Sequence, residues 1–229
     1  MQVVDLAKTS KRDLNSRLHA LVPNTNETHW RIENPNGQHS LVVGVDAPVT
    51  IEIVGHAGYY CAGMTKQATI LIEGNVGVGV AENMMSGKVH VKGDASQAAG
   101  ATANGGLLII DGDASARCGI SMKGIDIVVK GSIGPMSAFM AQSGTLVVLG
   151  DAGDALGDSI YEAKLFVRGS VKSLGTDCVE KILRDEHKIE LRRLLDSAGV
   201  DKAVKVEDFK RYGSARKLYN FHVDNASVY

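Results

Sequence analysis

The residues of this chain that could carry chemistry fall into a few groups. Asp94, Asp113 and Asp151 recur at one position of a repeating unit, as a metal ladder or an acid/base pair would require, with carboxylates on adjacent units about 5 Å apart. His56, Asn75, Ser132 and Ser170 fill the same column, which favours turn chemistry through local side-chain-to-backbone hydrogen bonds. Gly74–Gly79 invites comparison with a phosphate loop. It matches neither G-x-G-x-x-G nor the P-loop pattern, and its first glycine recurs in every unit. Cys61, Cys118 and Cys178 form no C-x-x-C, and an odd count suits a reducing compartment. His187 lies on an apolar helical stripe and reads as a packed residue. His56, Tyr59 and Tyr60 cluster in the first full unit, as a contact surface or a passage for a small amine, or else as edge packing.

The elements that must position these residues follow from a repeat, which is the first thing to seek. Gly55, Gly74, Gly93, Gly112, Gly131, Gly150 and Gly169 stand at intervals of 19 without a slip. Four residues before each glycine come Ile51, Ile70, Val89, Leu108, Ile127, Leu146 and Leu165. Two before come Ile53, Ile72, Val91, Ile110, Val129, Val148 and Val167. The residues between are mixed, so each unit begins with a strand of period two, ended by a glycine whose freedom at positive φ suits a turn. A second small apolar column lies two residues after the glycine, and a third lies six after it (Cys61, Val80, Ala99, Cys118, Ser137, Leu156), next to Ala62, Ala81, Gly100, Gly119, Ala138 and Gly157. Such small residues suit a narrow interior or a sharp corner.

One unit of this size cannot bury its apolar face alone, whereas stacked units merge their columns into one core. The expected fold is an all-β, single-stranded, right-handed parallel β-helix of seven coils, about 30 Å long at the usual strand spacing. Cys61 and Cys118 would then lie about 14 Å apart, beyond disulfide reach, as buried small hydrophobes. The expected division is 1–48 as an N-terminal helix and loops, 49–175 as the β-helix, and 176–229 as C-terminal helices and a docking tail. Ser10 with Asp13 resembles a capping box before Leu14, Leu18 and Leu21, predicting a helix over 10–21. A strand is expected around Ser40–Val45. Asp177 with Glu180 offers a second cap before a stripe of Leu183, His187, Leu191, Leu194 and Leu195, and a further short helix is expected over Glu207–Tyr212.

A second strand column, Glu52, Leu71, His90, Ile109, Val128, Val147 and Phe166, points outward by alternation, yet its last four members are apolar. An exposed stripe of that length demands a cover. The helix after Gly175, or else a partner subunit, is expected to lie across it.

Composition excludes other classes. The net charge of −1 argues against nucleic acid or a membrane surface, and 44% hydrophobic residues suit an ordinary packed core. No apolar run approaches a membrane span, and the N-terminus shows no secretory pattern, so a cytoplasmic location is the default expectation. A catalytic β-helix of the lyase or hydrolase kind needs paired carboxylates or basic residues converging in a groove. The outward columns show no such concentration, and the missing secretory pattern counts against an adhesin.

The coils Gly74-Asn75-Val76-Gly77-Val78-Gly79 and Gly55-His56-Ala57-Gly58-Tyr59-Tyr60-Cys61-Ala62-Gly63 resemble the G-x-G-x-G domain of the glutamate synthase large subunit, also present in formylmethanofuran dehydrogenase. The resemblance covers residues 40–175. The end, Arg211-Tyr212-Gly213-Ser214-Ala215-Arg216-Lys217-Leu218-Tyr219-Asn220-Phe221 followed by Val223-Asp224-Asn225-Ala226, is similar to that of the free-standing glutamate-synthase-like subunit of N-methylglutamate synthase. The resemblance implies a non-catalytic subunit beside an amidotransferase-like subunit and an FMN-binding synthase subunit. Together they would convert glutamate and methylamine to N-methylglutamate and ammonia. FMN and the iron–sulfur cluster are expected on the synthase partner, and no cofactor, metal or catalytic residue on this chain. The alternatives are a formylmethanofuran-dehydrogenase-type complex and a stand-alone binding β-helix. Arg216, Tyr219 and Phe221 in the tail, with His56, Tyr59 and Tyr60, are the candidate partner contacts, and the seven glycines are the structural turns.

Overall fold

A computed structural model describes residues 1–216. It is a parallel β-solenoid whose strands form one 11-stranded sheet in the order β1-β2-β3-β4-β5-β6-β7-β8-β9-β11-β10. The chain begins with β1 (Gln2–Asp5), α1 (Lys11–His19) and β2 (His29–Glu33). The regular coils contribute β3 (Thr50–Ile53), β4 (Thr69–Ile72), β5 (Lys88–Val91), β6 (Leu107–Ile110), β7 (Lys123–Val129), β8 (Ser143–Val148) and β9 (Lys164–Val167). β10 (Cys178–Lys181), α2 (Asp185–Ser197), a 3₁₀ turn (Val206–Asp208) and β11 (Lys210–Ser214) follow.

The two aliphatic columns stack in register from Ile51 to Leu165 and from Ile53 to Val167. Every member is buried. The stack begins earlier than the regular period does. Val4 pairs with Ile32 and Ile32 with Ile53, while Trp30 lies under Ile51. β2 is therefore the strand of this region, and Ser40–Val45 is a turn with Ser40 and Val42 left-handed. The sequence hides β2 because 21 residues separate Ile32 from Ile53, so the 19-residue comb passes over it.

α1 closes this first end. Ser10 Oγ accepts the Asp13 N–H at 3.1 Å, capping the helix as its spacing predicts. Leu14 and Leu18 enter the core, and the Asn15 amide grips the first turn by donating to Ser40 O and accepting from Val42 N.

The anchor glycines correct one expectation. Of the seven, only Gly55 has positive φ. The other six are glycine because the coils touch there. A Cβ on Gly93, Gly112 or Gly131 would lie 2.0–2.1 Å from the side-chain oxygen of Asn75, Asp94 or Asp113 in the preceding coil. The left-handed positions lie instead five, seven and nine residues after the anchor, as at Ala98, Gly100 and Thr102. The column of small residues at Ala62, Ala81, Gly100, Gly119, Ala138 and Gly157 is left-handed throughout. Three of these six are alanine, and hydrogen bonds hold them in place. Gly100 N–H donates back to Val80 O and Thr102 N–H donates forward to Ile120 O, at 2.8 and 2.9 Å. Bonds to both neighbouring coils over-determine a backbone that L-residues rarely adopt.

The outward apolar column is covered from within the chain. Ile109, Val128, Val147 and Phe166 are fully buried and pack with Leu191, Leu194 and Leu195 of α2. Glu190 holds the helix down by accepting from Thr145 Oγ1 and Lys164 Nζ, and Arg193 pairs with Asp126.

Two other expectations at this end fail. Asp177 caps no helix: it leads into β10, and α2 starts after Arg184, whose N–H is accepted by His187 Nδ1. Instead of a helix over Glu207–Tyr212, β11 inserts antiparallel between β9 and β10. The free edge of β9 offers unpaired backbone groups, and satisfying them outweighs a weak helical pattern.

Candidate functional site

The carboxylate column is a structural ladder. Asn75 N–H donates to His56 Nδ1, Asp94 N–H to Asn75 Oδ1, Asp113 N–H to Asp94 Oδ1, Ser132 N–H to Asp113 Oδ1, Asp151 N–H to Ser132 Oγ and Ser170 N–H to Asp151 Oδ1. The distances run from 2.7 to 3.0 Å. The bonds are not local, as turn chemistry predicts, but reach 19 residues to the next coil. Each side chain therefore satisfies an amide that the strand ladder leaves over. The Ser170 amide and hydroxyl hold the Asp151 carboxyl below the usual carboxylate range. Among the described residues, no group of three or more His, Cys, Asp or Glu is placed to hold a metal ion.

Gly74–Gly79 is likewise committed to its neighbours. The amides of Asn75, Val76, Gly77 and Gly79 donate to His56 Nδ1, Asp94 O, Ala57 O and Gln97 O, so they do not point at a phosphate. Cys61 and Cys118 are buried, and burial pushes both thiols up to about 12, far from the thiolate that acts as a nucleophile.

His56, Tyr59 and Tyr60 take three different roles. His56 begins the ladder. The exposed Tyr59 ring stacks on His39 at 4.1 Å, and its N–H donates to His39 Nδ1. Tyr60 OH accepts from Asn83 Nδ2 at 3.3 Å. Tyr59 and His56 are exposed, and Tyr60 is half-buried. Arg216 is tied to Asp177 by hydrogen bonds from Nε and Nη2, and this pair holds its guanidinium above its ordinary value. Tyr219 and Phe221 lie outside the described residues.

Folding the C-terminal part back creates what the sequence does not show: a cleft of about 700 Å³ between α2, the last coils and β11. Asp126, Lys164, Lys181, His187, Arg211 and Arg216 are among its lining residues. They come from five segments with no common spacing, so only the run of basic residues near the end hinted at it.

His187 is 9% exposed and joins the cleft to the α2 seam. Burial lowers its pKa from the ordinary 6.5. Arg211 and Lys164 lower it further, against Glu186 and Glu190, which raise it. A lowered folded-state value means the unfolded chain binds the proton first as pH falls. The neutral ring's contribution is therefore complete above about 6.5 and lost through the window below it. We expect the melting temperature to drop between pH 7.5 and 5.5, and to drop less in His187→Gln, as followed by thermal denaturation.

No protein-family model matches the chain. Among described residues no helix is long and apolar enough to cross a membrane. The chain is 62% identical over 229 residues to protein GlxC of Rhizobium meliloti (strain 1021), and the match spans 100% of both chains. A likeness of that depth, end to end, on a rod whose every coil constrains the next, means that this chain belongs to the GlxC family.

Proposed function

We propose that the chain is a non-catalytic scaffold subunit of a glutamate-synthase-type complex, the N-methylglutamate synthase. It joins an amidotransferase-like subunit to an FMN-binding synthase subunit, in the cytoplasm. The observation that carries this reading is where the reactive side chains go. The carboxylate column serves the inter-coil ladder, Cys61 and Cys118 are sealed in the core, and the glycine-rich amides are bonded to adjacent coils. What remains is a stiff spacer with a contact region near each end, Tyr59 at the first regular coil and Arg216 at the last. The G-x-G-x-G coils and the similarity of the C-terminal sequence to that of the free-standing synthase subunit support the choice of complex.

The tail from Arg216 to Tyr229 is the proposed partner contact at the far end, with Tyr219 and Phe221 as apolar anchors. Removing it tests the assignment. The cut must follow Arg216, because Gly213 and Ser214 pair with Val179 and Cys178 inside the sheet. Co-expressed with its two partner subunits, the full chain should co-purify with both. Its complex should form N-methylglutamate from glutamate and methylamine, and the chain ending at Arg216 should lose one partner. The full chain purified alone should show no flavin or iron–sulfur absorption. A stoichiometric flavin or cluster spectrum, or failure of the full chain to assemble, would refute the reading.

A further inference from the structure

The sequence holds two Asn-Gly pairs, Asn36-Gly37 and Asn104-Gly105. An asparagine before glycine is chemically exposed to its own backbone, because glycine places no side chain in the way when its amide nitrogen turns on the carboxamide. Both asparagines are exposed to solvent, so access does not separate them. The amide that follows does. Gly37 N–H donates to His56 O at 2.9 Å and is tied to the next coil. Gly105 N–H has no acceptor among the described residues.

This loose amide is particular to one coil. Gln67, Ser86 and Ser143 occupy the position of Gly105 in three other coils. Their amides donate to Ser86 Oγ, Thr65 O and Met122 O, at 3.1 to 3.3 Å. In the coil of Gly105, Asn104 N–H takes Met84 O at 2.7 Å, and the next amide bonded is that of Leu107, to Gly87 O at 3.0 Å. Asn104 is thus fixed at its own nitrogen, while the peptide unit after it is held by no donor bond. Its carboxamide is held only by long contacts, from Nδ2 to Met85 Sδ and to Thr102 O, both at 3.4 Å.

We propose that Asn104 is a site of spontaneous covalent modification, deamidated by attack of the Gly105 amide nitrogen on its side chain, and that the Gly37–His56 bond spares Asn36 the same fate. Solvent hydroxide removes the Gly105 amide proton. The nitrogen bonds to Asn104 Cγ, the Cγ–Nδ2 bond breaks, and Nδ2 takes a proton from water and leaves as ammonia. Water then opens the cyclic imide at one carbonyl or the other, giving aspartate or isoaspartate. Water is the sole co-reactant, and no electron changes hands. Either product adds one negative charge to a chain of net charge −1. Isoaspartate also lengthens the backbone by a methylene at the entry to β6, where the coils otherwise keep their period. The inference stands apart from the proposed function and holds whichever complex owns the chain.

The test ages the full chain in mildly alkaline buffer, folded and, in parallel, unfolded in guanidinium chloride. Trypsin places Asn104 in the peptide 93–117 and Asn36 in the peptide 32–66. Mass spectrometry follows each peptide for the exchange of NH2 by OH, with fragmentation to locate it. In the folded chain Asn104 should convert about tenfold faster than Asn36, the rate factor equivalent to the net worth of one hydrogen bond. In denaturant the two rates should converge, since each asparagine then precedes an equally free glycine. Asn104→Gln should stop the exchange in its peptide, because glutamine would have to close a larger, less favourable ring. Equal conversion of the two sites in the folded chain, or faster conversion at Asn36, overturns the proposal. So does a gap that persists unchanged in denaturant, which would place the difference in the local sequence rather than in the loose amide. Absence of conversion at Asn104 in the folded chain, over a time in which the unfolded chain converts, overturns it equally.

Discussion

Val129→Asp should leave no folded rod. Val129 is fully buried, with Ile110 before it and Val148 after it in the same interior column. Nothing polar reaches that column to receive a carboxylate. Keeping it charged, or raising its pKa until it is neutral, costs several kcal/mol, comparable to the whole of a typical ~5–15 kcal/mol stability. A solenoid spreads the damage, because each coil contributes to two interfaces. The expected outcome is insoluble protein, or soluble protein without a cooperative urea transition by circular dichroism. Val129→Leu, which adds only volume, should lose no more than ~3 kcal/mol and keep the transition. A cooperatively folded aspartate variant would show that the column is not the core.

Gly112→Ala should be strongly destabilising for a one-methyl substitution. Its Cβ would meet Asp94 Oδ1 at 2.1 Å and the Gly93 backbone at 3.0 Å. The Asp94 carboxyl that must move is the one holding the Asp113 amide at 2.8 Å. Either the coils separate or the ladder breaks, and we expect a loss of ~2–4 kcal/mol in urea denaturation, in the range of overpacking plus a lost hydrogen bond. Gly213→Ala is the control. A Cβ there meets nothing closer than 3.7 Å, so its cost should stay below ~1 kcal/mol. Asp94→Ala removes the nearest obstacle, so Gly112→Ala should cost less in that background, though the Gly93 backbone still limits the approach. Equal losses for Gly112→Ala and Gly213→Ala would mean that the glycines are not there for close packing.

How much was legible depends on the element. The columns at Ile51 and Ile53 could be read because a coil's neighbours are its own repeats, so one period states both the strand and its register. The α2 cover could be read because two unexplained features matched, a surplus apolar column at Ile109–Phe166 and a helical stripe tethered to the last coil. The role of the glycines is not legible in the sequence. Their spacing shows that something forbids a side chain, but not whether φ or an adjacent coil forbids it. The ladder from His56 to Ser170 shows in the sequence as a column whose residue types suit local turns, and a side chain's partner 19 residues away is invisible until the coils stack.

By itself, then, the sequence determined the solenoid, its pitch, its interior and the helix that must cover its flank, since all of these repeat or complement one another along the chain. Tertiary structure alone decided the rest: β1 and β2 joining the stack, β11 entering between β9 and β10, and the cleft that His187, Lys181 and Arg216 help to line. Those contacts join segments separated by insertions or running antiparallel, and no period in the sequence relates them. Their partners were chosen by which backbone edges and buried donors remained unsatisfied once the rod had formed.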